Sequence, residues 1–198
     1  MSNFFKNLVS SEPRPLEELK ESITLNRDDT QDFISILEDH HDYLEESISV
    51  LMSHEATDLE KQTHLTRFLK VLDMHAKAEE ETLYVALKAA DDKNARVEGF
   101  FGKDEHEVAD RLANELKAMG FDISWSEVID AKAKVLAGLV KNHIKEEETE
   151  MFAIAKETLA YEKMTELAAQ YLDKADQYLV LDGMAAKISP TEFPTITY

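Results

Sequence analysis

Residues 75–84 read HAKAEEETLY and residues 143–152 read HIKEEETEMF. Laid over each other, the two stretches share a histidine, a lysine two residues on, and glutamates four and five residues on. Leu83 then falls on Met151, Tyr84 on Phe152 and Lys88 on Lys156. Residues four apart in an α-helix are offset by about 40° around the axis and about 6 Å along it. His75 and Glu79 therefore leave one face of a helix together, and so do His143 and Glu147.

The same helical wheel places Phe68, Val71, Leu72 and Ala86 on the His75 side, and Leu136, Leu139, Val140 and Ile154 on the His143 side. Both His-x-x-x-Glu pairs thus face a core. Glu80 and Glu148, one residue further, turn away and read as solvated. A buried carboxylate without a partner is costly, and two of them beside buried histidines need a cation. Two divalent irons bridged by the two carboxylates satisfy that need; imidazole and carboxylate donors also suit Mn or Zn. One such motif in an acidic helical chain carries little weight. Two in register, each on an apolar face, carry much more.

Each copy follows another long helix that bears a histidine. His41 lies 34 residues before His75, and His106 lies 37 before His143. Two helical hairpins related by a pseudo-two-fold make an all-α, antiparallel up-down four-helix bundle with a shared site between them. The helices expected are about Asp28–His54, Thr57–Ala90, 95–120 with an interruption near Phe101-Gly102, and Ser124–Thr158. Thr57-Asp58-Leu59-Glu60 has the form of a capping box, and Gly120 is placed to stop the third helix. A short N-terminal helix is expected at about Pro15–Ile23, and an extra C-terminal helix at about Tyr161–Leu181, ending at Gly183. The organisation expected is a leader over 1–27, the bundle over 28–158, and a C-terminal helix and tail over 159–198 packed on the bundle.

Composition agrees. Gly (5) and Pro (4) are scarce, hydrophobic residues are 43% and charged residues 32%, as in a helical globular chain. Cysteine is absent, which removes disulfides, thiolate nucleophiles, Fe–S clusters and Cys-based zinc sites. A net charge of −19 repels nucleic acid phosphates and anionic membranes, so neither is expected as a partner. No run approaches the ~20 apolar residues of a membrane span, and the first residues lack the apolar stretch of a signal peptide. A cytoplasmic location is expected.

The order His, HxxxE, His, HxxxE resembles the hemerythrin-like HHE domain. The matching segments are Leu37-Glu38-Asp39-His40-His41, residues 75–84, Glu105-His106-Glu107 and residues 143–152, and the resemblance spans about 30–158. It implies an oxo- or hydroxo-bridged di-iron centre. The implied ligands are one histidine of the 40/41 pair, His75, Glu79, His106, His143 and Glu147, with the glutamates bridging and the histidines capping the irons in pairs. Of the pair, His41 is favoured. It has Leu37, Leu44, Ile48 and Leu51 on its stripe, whereas His40 meets Ser47 and reads as a flanking group. The apolar centre of the His106 helix, from Phe101, Val108, Leu112 and Leu116, lies to one side of it; its own face carries Ala109, Asp110 and Ala113, which leave room for metals. His54 and His64 have no such partner, and His64 lies about 16 Å along the helix from His75.

Asp110 stands where the oxygen-carrying hemerythrins, as a family, have a fifth histidine, and the last motif is HxxxE rather than HxxxxD. The chain is thus closer to the branch with four histidines and two glutamates, linked to nitric oxide response, iron-centre repair and reactive-oxygen chemistry. That branch implies binding or sensing of O2, NO or peroxide. The alternatives are iron handling or iron-centre repair, or an enzyme that consumes peroxide or NO, with Glu150 or Asp110 as its acid or base. Tyr43 is a further group able to donate a hydrogen bond near the site.

Overall fold

The computed structural model describes residues 12–28 and 32–185. The expected leader before residue 12, the Asp29-Thr30 cap and the tail after residue 185 lie outside the described residues. Within them the chain is all helical, with α1 Leu16–Asp28, α2 Phe33–Leu51, α3 Asp58–Glu81, α4 Leu83–Ala89, α5 Lys93–Ala118, α6 Glu127–Glu146, α7 Phe152–Thr158 and α8 Tyr161–Ala185. Four antiparallel rods form the bundle: α2, α3 continued by α4, α5, and α6 continued by α7. Neighbours in sequence pack together and α6 closes the ring against α2. Helix α8 lies outside this ring against α3, α2 and α1.

The ends of the rods follow their side chains. At Thr57 the hydroxyl accepts the Glu60 N–H at 3.3 Å, and the Glu60 carboxylate accepts the Thr57 N–H at 2.7 Å, completing the capping box. Asp92 accepts the Ala95 N–H at 2.9 Å, and Ser126 accepts that of Ile129 at 3.3 Å. Gly120, at φ 68°, follows the last turn of α5 in the left-handed conformation that glycine adopts without strain.

Three expectations about the rods need correction. Helix α5 runs unbroken through Phe101-Gly102. Its buried face is also not the one that Phe101 and Val108 suggest, since these are 44% and 43% exposed. The buried stripe is Ala95, Gly99, Gly102, His106, Ala109, Ala113 and Leu116, alternating steps of four and three. Small side chains let this rod come close, so Gly102 serves close approach rather than a break.

The second and fourth rods are each interrupted just past their inward glutamate. Thr82, at φ −126° and ψ −86°, separates α3 from α4, and its hydroxyl donates to the Ala78 carbonyl at 2.6 Å. In the other repeat Glu147–Met151 form a π-helical turn. An ideal helix places residue i+5 about 140° away from residue i; a π turn brings it over residue i instead. Tyr84 and Phe152, each five residues past a glutamate, are thereby turned inward and are buried.

An ion-pair cluster ties the start of α6 to α3. Asp130 binds Lys61 at 2.6 Å, Lys134 at 2.8 Å and the Trp125 indole N–H at 3.2 Å. Burial pushes the Asp130 carboxyl up, but these donors outweigh it and hold it at about 2. Lys61 is buried, so Asp130→Ala is expected to lower stability by about 1–3 kcal/mol at neutral pH. Because the folded-state value is depressed, this contribution is present above the ordinary carboxylate range and fades as pH falls towards 2. Urea unfolding of wild type and variant at several pH values measures both.

Candidate metal centre

Each bundle rod gives one histidine to a buried cluster midway along the bundle. His41 comes from α2, His75 from α3, His106 from α5 and His143 from α6, all at 5% exposure or less. Their inner nitrogens meet in pairs. His41 Nε2 and His75 Nε2 are 3.2 Å apart, and His106 Nε2 and His143 Nε2 are 3.1 Å apart. Glu79 and Glu147 lie between the pairs. Glu79 Oε2 is 3.2 Å from His75 and 3.6 Å from His106, while Glu147 Oε2 is 3.2 Å from His41 and 3.6 Å from His143. The cluster therefore divides into two overlapping groups, His41, His75, Glu79 and Glu147, and Glu79, His106 and His143. All six residues singled out by the sequence meet here.

Two of the outer imidazole nitrogens are engaged by carboxylates. His41 Nδ1 meets Glu148 at 2.8 Å and His143 Nδ1 meets Glu105 at 2.7 Å, while His106 Nδ1 makes no hydrogen bond, with Glu80 3.3 Å away. An N–H donated outward to a carboxylate leaves a lone pair on the inner nitrogen. This corrects the reading of Glu80 and Glu148 as merely solvated. They do point outward, but along the seam where the next rod's histidine presents its outer edge.

His75 is served differently. Tyr171 of α8, fully buried, has its hydroxyl 2.7 Å from both His75 Nδ1 and His40 Nδ1. If His75 donates, Tyr171 accepts and passes its own proton to His40. His40 is thus a flanking group, turned from the cluster; burial and the neighbouring His41 push it down to about 3. A pseudo-two-fold relates Glu105, just before His106, to His40, just before His41. One reaches its histidine directly and the other through Tyr171.

The donor set fits a cation. Both oxygens of Glu79 and Oε2 of Glu147 are buried without a hydrogen-bond donor. Burial, and then the charge of Glu147, push the Glu79 carboxyl well up. Burial acts the same way on Glu147, but His143 and His41 outweigh it and hold that carboxyl down, at about 2. Two carboxylates and four imidazoles, converging in a buried cluster, are what two divalent ions bind.

Several other sequence candidates are not in the cluster. Glu150 is exposed, because the π turn rotates it away from the His143 face. Asp110 is exposed and accepts a hydrogen bond from Asn114 at 3.0 Å. It lines the rim of a cavity of about 610 Å³ between α3 and α5, whose floor includes Leu72, Ala76 and Ala109 and reaches His106. Tyr43 lies beneath Arg14, 3.7 Å from its ring centroid, and takes no part. His64 is buried with Ser47 Oγ 3.4 Å from Nδ1, and His54 is exposed. Sequence reasoning missed Tyr171 and Tyr84. Tyr171 is 96 residues from His75, with no spacing to mark it. Tyr84 had a signal in its repeat partner Phe152, hidden by an ideal helical wheel.

The family model described as Hemerythrin HHE cation binding domain matches residues 32–155. A protein from Nostoc sp. (strain PCC 7120) described as a DNA nickase is 30% identical over 117 residues, which is 56% of this chain and 30% of that protein. The chain thus spans under a third of the length of this curated relative. No solved structure matches the chain. Among the described residues, no helix is long and apolar enough to cross a membrane.

Proposed function

Because this chain belongs to the family of hemerythrin HHE cation-binding domains, we propose that it carries a non-haem di-iron centre that binds or senses O2, NO or peroxide. His41 and His75 would hold one ion and His106 and His143 the other, with Glu79 and Glu147 placed to contribute to both. The observation that carries this reading is the convergence of four buried imidazoles on two buried carboxylates, three of whose oxygens have no hydrogen-bond donor. Imidazole and carboxylate donors alone also accept Mn or Zn. When bound, the irons supply redox chemistry and positions for a diatomic molecule or peroxide.

The protein's own residues orient, insulate and balance that centre. Glu148 and Glu105 fix the ring orientation of His41 and His143, Tyr171 fixes that of His75, and Glu80 stands beside His106. Phe152 stacks on His41 with ring centroids 5.8 Å apart and excludes water from that side. Binding is favoured over turnover because the carboxylates nearest the centre are occupied: Glu80, Glu105 and Glu148 each face an outer imidazole nitrogen. None of them stands free as a proton donor. The net charge of −19 opposes contact with nucleic acid, so the activity named for the Nostoc relative is not proposed here.

Iron-loaded protein exposed to O2, NO and peroxide in turn tests this reading. A reversible optical change without sustained consumption is expected, and repeated turnover of peroxide or NO would replace the binding reading with an enzymatic one. Tyr171→Phe removes one hydroxyl and keeps the ring. It is expected to weaken binding of one metal by about 10–100-fold with little change in metal-free melting, as read by competition with a chelator.

A further inference from the structure

The two halves of the centre differ at one oxygen. Tyr84 and Phe152 occupy matching places in the repeat, and each covers a histidine of the other hairpin. Phe152 lies flat on His41, whereas Tyr84 sits 5.1 Å from His106 by ring centroids and extends its hydroxyl into the cluster. Tyr84 Oη is 2.7 Å from Glu147 Oε1, 3.2 Å from His106 Nε2 and 3.4 Å from His143 Nε2.

Hydrogen bonding does not account for the whole of this convergence. The phenol has a single proton, which it donates to Glu147. His143 Nδ1 meets Glu105, which leaves its inner nitrogen a lone pair, whereas His106 Nδ1 has no hydrogen-bond partner although Glu80 stands 3.3 Å away. The phenol oxygen and the His143 lone pair thus point at one another with no proton between them. Metal coordination explains the spacing. Two donors at right angles on one ion, with bonds of about 2.1 Å, stand about 3 Å apart. The three contacts of Tyr84 Oη and the 3.1 Å between His106 and His143 all lie near that value.

A second observation shows that the phenol's position is provided for. A Cβ at Gly102 would come within 2.7 Å of Tyr84 Cζ and 2.8 Å of its Oη. The α5 rod carries glycine where the tyrosine head must pass, within a stripe otherwise built to face the core.

We propose that Tyr84 is a seventh protein donor to this centre, its phenolate oxygen binding the ion held by His106 and His143. This rests on the metal-centre reading above. The O–H bond is exchanged for an O–metal bond and the proton leaves to solvent, so metal uptake releases it. Phe152 supplies no such oxygen, so the two ions are inequivalent. The ion at His41 and His75 keeps one protein donor fewer.

Iron bound by a phenolate and oxidised to iron(III) absorbs visible light by phenolate-to-metal charge transfer. Metal-free protein is loaded with iron(II) and oxidised in air, and its visible and resonance Raman spectra are recorded. A visible band with phenolate vibrations is expected, shifting when the protein is made with ring-deuterated tyrosine. Tyr84→Phe is expected to lose the band while still binding iron, since phenylalanine stands at the matching place in the other repeat. Tyr161→Phe, at an exposed position, is expected to keep it, and Gly102→Ala to diminish it. Wild-type protein with bound iron(III) but no phenolate band, or a band undiminished in Tyr84→Phe, overturns the proposal and leaves the metal centre standing. If Tyr84→Phe fails to fold, the isotope shift in wild type combined with the band in Gly102→Ala decides: a diminished band supports the proposal and an undiminished one overturns it. A wild-type protein that binds no iron defeats the metal reading and this proposal with it.

Discussion

Glu79→Gln and Glu147→Gln, made together, are expected to abolish metal binding while leaving the metal-free fold in place. Each carboxylate lies between two histidine pairs, so removing its charge weakens both ions at once. The loss should exceed the about 10–100-fold that follows removal of a hydrogen-bonded supporting group. The sign reverses without metal. Glu79 is buried with no donor on either oxygen, an arrangement that destabilises a metal-free core. Metal-free Glu79→Gln should therefore melt no lower than metal-free wild type, whereas metal should raise the melting temperature of wild type alone. Thermal melts with and without added iron(II) measure both effects.

Removal of α8 is expected to be as severe, through folding rather than charge. Leu167, Tyr171, Leu172 and Leu179 are buried, and Leu19 and Ile23 of α1 join the same core, where α1 packs on α8. At about 1.5–3 kcal/mol for each large apolar side chain, their loss removes more than about 5 kcal/mol. That is comparable with the whole stability of a typical domain, about 5–15 kcal/mol. We propose that 28–158 is not self-sufficient and that the C-terminal segment completes the bundle. A chain ending at residue 158 should be insoluble, or should lack the cooperative melt of the full chain. A truncated chain that melts cooperatively near the full-length temperature would show that α8 is an accessory.

The bundle and its two inward His–Glu pairs were legible because they obey one period, and the full ligand set followed from the family resemblance. His, HxxxE and the apolar stripes all repeat at three or four residues, and two copies fix the pairing of hairpins. The distinction between His40 and His41 followed from the same period. What the period could not express was departure from it. The π turn at Glu147–Met151 and the break at Thr82 bring residue i+5 inward, which hid Tyr84 and overstated Glu150. Helix α5 was misread for another reason. Its large apolar residues, Phe101 and Val108, are exposed while its glycines and alanines are buried, because close approach there depends on small volume rather than hydrophobic area. Tyr171 lies beyond the matched residues 32–155, and only tertiary packing brings it to His75.

Equilibrium titration of the metal-free protein with iron(II) under anaerobic conditions, with iron measured after desalting, bears most directly on the centre. Retention of about two irons per chain is expected, with none held by the Glu79→Gln, Glu147→Gln double variant. Wild-type protein that retains no iron, or a double variant that retains as much as wild type, would contradict it.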